Sequence, residues 1–245
     1  VSQRLKELRE SGYARTPILE PPVENDVRRT LQYLAYSGYN CIWSIGFNTA
    51  DAVKEIAGRF PEIPFCVVDV EFQERLPNVV TVNFNSRDGA FLAGVVAARL
   101  SATKNVGFVG GENEPLIHGF ETGFGKGVAS ADPAVTVHVD YTGTFISYDA
   151  GRKSAGKLYD AGCDILFHAA GSAGKGAIRE ARDRNRYIIG VDTDQSFLAP
   201  QNVVTSMLKR VDHVIVKLTR EIIERAVAPG QALSFGLEDG SVALT

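Results

Sequence analysis

A chain of 245 residues, 44% hydrophobic and 22% charged, has the composition of an ordinary globular protein, and its length suits one large core or two lobes. A formal net charge of −3, with 26 Lys and Arg scattered along the chain, argues against a basic surface for nucleic acid or anionic membrane. No apolar run approaches the ~18–20 residues of a membrane-crossing helix.

The elements alternate from the start. Residues 1–10 place Val1, Leu5 and Leu8 on one helical face, Pro17-Ile18-Leu19 is a short extended piece, and helical spacing returns over 24–36 with Gly38 as its stop. Cys41 to Ile45 reads as a buried strand, followed by a helix over 49–59 and strands at 65–68 and 79–84. The helix predicted over 87–100 is rich in small residues (Gly89, Ala90, Ala93, Gly94, Ala97, Ala98), which suits close packing on a sheet. The rhythm then repeats. Strands are expected at 106–109, 135–141, 164–169 and 187–191, with helices at 115–129, 148–160 and 173–184. An extended piece at 203–206, a helix over 211–227 and closing strands at 233–237 and 242–244 finish the chain.

Helices between apolar strands imply parallel βαβ units with right-handed crossovers. Two runs of similar length imply an α/β protein of two doubly wound parallel-sheet lobes joined by a hinge. The first lobe is expected over 1–103 plus about 204–230, the second over 104–203 plus about 231–245. Crossovers fall near Ser101–Lys104, Val203–Ser206 and Pro229–Leu233. The chain opens on a helix. In a lobe of strand order 2-1-3-4-5 the first strand is interior, and its loss would leave unpaired backbone groups. A strand and loop ahead of Val1, or a strand from another copy, is therefore expected.

Ligands of such sheets bind at the carboxyl ends of the strands, which singles out Gly46-Phe47-Asn48, Asp69, Gly110-Gly111, Thr144-Phe145, Ala170-Gly171-Ser172 and Asp192-Thr193-Asp194. The run Ala169 to Gly176 fails the phosphate-loop pattern at both the first Gly and the Ser/Thr position. Ser172 lacks the first Gly of a nucleophile elbow. What stays open is a strand-to-helix turn that is either structural or offers N–H groups to a polar ligand. The histidines 118, 138, 168 and 213 show no metal-ligand spacing; His168, late in a strand, is the one placed to touch a ligand. Asp192 suits two sugar hydroxyls better than catalysis, and Asp194 suits a helix N-cap. Phe47, Phe145 and Phe167 are each core or ligand stack, with the glycine-bearing turns of Phe47 and Phe145 favouring a cleft. Cys41, Cys66 and Cys163 form no C-x-x-C pair and read as small buried hydrophobes.

Taken in order, Val82-Asn83-Phe84, Phe91-Leu92-Ala93-Gly94, Val106 to Gly111, Phe120-Glu121-Thr122-Gly123-Phe124, Gly190 to Gln195, Leu198-Ala199-Pro200 and Thr205 to Arg210 resemble the basic membrane protein family. That family includes purine nucleoside receptor lipoproteins of ABC transporters. The resemblance covers essentially the whole chain. It implies a type I periplasmic-binding-protein-like fold and a nucleoside, purine by family alone, held between lobes. Phe145 would then stack on the base, Gly171 would lie against the ligand, and Asp192 and Lys209 would hold the ribose hydroxyls. Phe47, Asn48 and Asp69 would face the ligand from the first lobe. The family pattern opens with a strand and loop carrying an aspartate and an aromatic residue, neither of which is in this sequence.

The implied role is a solute receptor handing its ligand to an ABC permease. It would lie outside the cytoplasm, periplasmic or lipid-anchored, touching the membrane only through an anchor, with no nucleic acid, metal, cofactor or covalent chemistry. The alternative is a cytoplasmic ligand-sensing regulator of the same fold. An enzyme such as a nucleoside hydrolase or an NAD-dependent protein lacks support, since no G-x-G-x-x-G, metal cluster or triad is present.

Overall fold

The computed structural model describes Leu19 and residues 24–245. The helix expected over 1–10, the extended residues 17–18 and any strand ahead of Val1 lie outside the described residues. The chain is α/β with two separate sheets, as the alternating pattern implied. The described residues up to Phe84 and Val211–Phe235 form one compact unit; Asn85–Arg210 and Gly236–Thr245 form the other.

In the first unit β1 (Ile42–Ile45), β2 (Phe65–Val68), β3 (Val79–Phe84) and β9 (Ala232–Phe235) are parallel, in the order β1-β2-β3-β9. Residues of one parity line each face of a strand. Ile42, Phe65, Val67 and Val79 therefore close on Leu31, Ala35, Val53 and Ile56 of α1 (Glu24–Tyr36) and α2 (Ala50–Arg59). Trp43 points to the opposite face. There it packs with Ile215 of α7 (Val211–Ile223), and its indole donates to Thr219 Oγ1 at 3.0 Å. Cys66 is buried 3.8 Å from the half-buried Cys41 sulfur; that contact and burial push its thiol above the usual range.

In the second unit the order is β10-β8-β7-β6-β4-β5, comprising β4 (Asn105–Gly110), β5 (Thr136–Tyr141), β6 (Ile165–Ala169), β7 (Tyr187–Asp192), β8 (Val203–Lys209) and β10 (Val242–Leu244). All are parallel except β10, which runs antiparallel to β8. One face is covered by α5 (Tyr148–Asp160) and α6 (Gly174–Asp183), whose Ala155, Leu158, Ala177 and Ile178 meet Val109, Leu166 and Ile188. The other face carries α3 (Ser86–Leu100) and α4 (Pro115–Ala131). Here Phe120 and Phe124 pack on Phe108 and Phe167, so Phe167 is core. The chain passes between units at 84/85, 210/211 and 235/236. These points differ from the expected 101–104, 203–206 and 229–233. Helix α3 packs on α4, and β8 continues past Ser206 to pair with β7 up to Leu208.

The small residues of α3 serve two purposes. Gly89 leaves room for Met207 and Val242 on the sheet, whereas Gly94 lies against the Phe124 carbonyl of α4. Gly123 and Gly127 of α4 meet the carbonyls of Arg87 and Phe91 in return. The two helices thus touch backbone to backbone. A methyl at Gly127 would overlap the Phe91 carbonyl, and overpacking costs ~1–3 kcal/mol, more than the ~1 kcal/mol of helix propensity it gains. Gly127→Ala is expected to destabilise the second unit by about 1–2 kcal/mol in urea unfolding. Gly125→Ala, on the same helix with open space around it, is expected to stabilise it by ~0.5–1 kcal/mol.

Candidate functional site

Each unit gathers its expected ligand residues at the carboxyl ends of its parallel strands. In the first unit Gly46 ends β1 with φ +114°, a conformation open to glycine, and its N–H bonds the Val68 carbonyl at 3.2 Å. Phe47–Thr49 then make one 3₁₀ turn, tied by Thr49 Oγ1 donating to the Gly46 carbonyl at 2.8 Å. Phe47 is half-buried and Asn48 exposed. Asp69 follows the neighbouring β2, half-buried, with φ +63° and its N–H on the Val82 carbonyl at 2.9 Å. Phe47, Asn48 and Asp69 thus share one sheet end. A cavity of about 730 Å³ lies elsewhere in this unit, between the 71–76 loop and strands β3 and β9; none of the three lines it.

In the second unit, counting its own strands from β4, the order is 2-1-3-4-5-6, and its direction reverses between β4 and β6. Crossovers on opposite faces open a crevice at such a point. Gly111 stands at its β4 side, its N–H on the Ala169 carbonyl at 3.0 Å. The Phe145 ring covers Gly111 so closely that a side chain there would overlap it. On the β6 side the Phe145 carbonyl accepts from Ala173 N–H at 3.0 Å, and Gly171, with φ +53°, lies beside it. Phe145 and Gly171 are therefore brought together at the crevice, with Phe145 half-buried and Gly171 exposed.

Asp192 and Lys209 end the adjacent strands β7 and β8. Asp192 is exposed, Lys209 is only 8% exposed, and the register sets Asp192 beside Leu208. Asp192 has φ +67°, and Thr193 N–H reaches back across it to the Val191 carbonyl at 2.8 Å. A bond from residue i+2 to i across a positive φ is the rare, strained γ-turn. Beyond it Asp194 accepts from Ser196 N–H at 2.9 Å and opens a 3₁₀ turn rather than an α-helix, which holds its carboxyl below the usual range.

A buried polar chain lies beneath these turns. Gln195 Oε1 receives Val191 N–H at 3.0 Å and faces His168 Nε2 at 2.8 Å; Gln195 N–H donates to Ser206 Oγ at 3.0 Å. Since a backbone N–H only donates, the Gln195 atom is the oxygen, and His168 Nε2 must carry the proton. His168 Nδ1 is then a bare acceptor, fully buried and without a partner among the described residues. The imidazole ring lies so close to Gly174, where α6 begins, that a Cβ there would overlap it. Among the described residues no three His, Cys, Asp or Glu side chains converge as a metal site, and no helix is long and apolar enough to cross a membrane.

A family model described as ABC transporter substrate-binding protein PnrA-like, Bmp, matches residues 4–245. Basic membrane protein A1 of Borrelia garinii subsp. bavariensis is 37% identical over 231 residues, 92% of this chain and 68% of that protein. The chain belongs to the Bmp family of ABC-transporter substrate-binding proteins. A solute-binding protein of an ABC transporter system from Aeropyrum pernix K1 has a similar structure, with TM-score 0.88 and 26% identity over 99% of this chain and 70% of that one. A transcriptional activator of the comK gene from Bacillus halodurans, with TM-score 0.78 and 23% identity over 91% and 76%, shares the fold.

Sequence reasoning singled out His168 in this Bmp chain as placed to touch a ligand. The structure instead buries it completely, under the turns that carry Gly171 and Asp192. The readable signal was a polar residue inside the apolar run Ile165-Leu166-Phe167-His168-Ala169; its partner Gln195 had none. Burial disfavours the charged imidazole and lowers its pKa to about 4, although the bond to Gln195 opposes the shift. Above pH 6.5 His168 is neutral both folded and unfolded. As pH falls from 6.5 towards 4 only the unfolded chain takes up the proton, so stability is lost. Between pH 7 and pH 4.5 the wild type is expected to lose about 2–3 kcal/mol more than His168→Gln, read from urea unfolding of both proteins. Equal losses would show that His168 is not held neutral.

Proposed function

We propose that this Bmp chain is the extracytoplasmic receptor of an ABC permease and binds a nucleoside, most simply a purine nucleoside, without covalent chemistry. What supports the reading is that an aromatic ring and a glycine turn touch at the carboxyl end of one sheet, while a carboxylate and an ammonium end the adjacent strands β7 and β8 of the same sheet. Phe145 stacks on the flat base. Gly171, lacking a side chain, lets the ligand approach the backbone. The carboxylate of Asp192 accepts from the ribose hydroxyls and Lys209 donates to them. In the first unit, Phe47, Asn48 and Asp69, at one sheet end, are the residues proposed to face a ligand.

Membership of the family supports a small-molecule ligand and a permease partner. The regulator reading draws on shared fold alone, through relatives below 25% identity such as the Bacillus halodurans activator.

The test is isothermal titration of ligand-stripped, refolded protein with adenosine, guanosine, inosine, cytidine, uridine and ribose. Saturable heat with the purine nucleosides and little with ribose is expected. Asp192→Ala is expected to weaken binding by ~1.5–3 kcal/mol, roughly tenfold or more, because hydrogen bonds to charged groups are the strong ones. Unchanged affinity in that variant would remove Asp192 from the site; silence across the panel from folded protein would remove the nucleoside.

A further inference from the structure

We propose that His168 and Gln195 form a buried latch that holds the strained turn of Asp192 in its ligand-binding position and thereby sets selectivity for the ligand's vicinal hydroxyls. The inference rests on the nucleoside reading for its ligand, but the latch itself is a property of the second unit. His168 and Gln195 touch no ligand; they are positioning residues.

The geometry leads to it in three steps. A γ-turn with positive φ at a non-glycine residue is costly, ~1–3 kcal/mol, and persists only where its surroundings over-determine it. The turn spans Val191, Asp192 and Thr193, and Gln195 Oε1 grips its first residue through Val191 N–H. Gln195 is in turn held at both ends: its backbone N–H by Ser206 Oγ on β8, and its side-chain oxygen by His168 Nε2 on β6. Three neighbouring strands thus fix one loop from below.

Two glycines make room for this arrangement. At Gly190 a Cβ would stand 2.6 Å from Ser206 Oγ and 2.7 Å from Gln195 Oε1, so no other residue lets the amide pack under the strand. At Gly174 a Cβ would overlap the His168 ring. Gly174 also follows the turn that carries Gly171, in which Ala173 N–H donates to the Phe145 carbonyl. His168 therefore sits under the Gly171 turn and reaches the Asp192 turn through Gln195. Loss of the latch lets Asp192 relax to a negative φ and turns its carboxylate away from the ligand, while the base stack on Phe145 stays in place.

The experiment compares wild type, His168→Leu and His168→Gln in the full protein. Leucine removes the donor to Gln195, whereas the glutamine amide can restore it. Affinities are measured for inosine and for 2′,3′-dideoxyinosine, which lacks both hydroxyls. The wild type is expected to favour inosine. His168→Leu is expected to lose about tenfold for inosine and less than about twofold for the dideoxynucleoside, one charge-assisted contact being worth about this much. His168→Gln is expected to recover most of the preference. An equal loss for both ligands would mark a merely structural role and overturn the proposal, as would an unchanged ratio.

A ligand-free readout separates this proposal from the function it builds on. Amide hydrogen exchange of Val191 and Thr193 to Gln195 is expected to quicken at least tenfold in His168→Leu and not in His168→Gln, with β4 unaffected. Unchanged exchange overturns the latch whatever binds. Quickened exchange in a protein whose wild type ignores inosine supports the latch and overturns the nucleoside reading instead.

Discussion

Strands β4 to β8 run one way because a helix or a turn carries the chain back to the same end of the sheet after each of β4 to β7, and parallel pairing then places every carboxyl end on one side. The rest of the second unit follows from that constraint. Phe145, Gly171, Asp192 and Lys209 come from four separate stretches of sequence, yet Asp192 and Lys209 end strands and Phe145 and Gly171 lie in the loops just after them. The reversal of order at β4 adds the crevice. Glycines at 111 and 171 make room for Phe145 there, since one lies under its ring and the other beside its carbonyl.

The same constraint explains how much was legible. Strands buried on both faces read as continuous apolar runs, so Phe65-Cys66-Val67-Val68 and Ile165 to Ala169 announce themselves, and their ends mark the candidate residues. The passages between units were harder. Val203 to Ser206 looks like a hinge because the strand continues as Met207-Leu208-Lys209, ending on a buried lysine. Whether such a stretch leaves the sheet is settled by the edge of β7 beside it, which leaves no mark on local sequence. The placement of helix 86–100 failed to show for a related reason. Its small residues announced close contact but not with what, and Gly94 found a helix where Gly89 found a sheet.

Polar residues that hold the scaffold were the least visible. Asp164 reads as the first residue of a strand. In the structure its buried carboxylate accepts from Ser101 Oγ at 2.7 Å, Ala102 N–H at 2.6 Å and Thr103 N–H at 3.0 Å, fixing the turn into β4. Asn78 likewise donates to the carbonyls of Ala57, Phe60 and Ile63, each at 3.0 Å, closing the end of α2. Buried polar groups must find partners, but the partners here lie 15 to 63 residues away, beyond any local pattern. Gln195 belongs with them.

The two aspartates at strand ends, Asp69 and Asp192, both adopt positive φ. Asp tolerates this region better than most residues, though glycine would sit there without strain. That an aspartate occupies each place points to the carboxylate as the reason. At Asp192 the cost, ~1–3 kcal/mol, is comparable with what the two bonds accepted by Gln195 Oε1 return, at ~0.5–1.5 kcal/mol each. The balance is close, so the grip on Val191 N–H matters to the turn. It also means that the turn is set before any ligand arrives. A carboxylate fixed in advance loses little further entropy on binding, and a buried imidazole that stays neutral keeps it fixed across the physiological pH range.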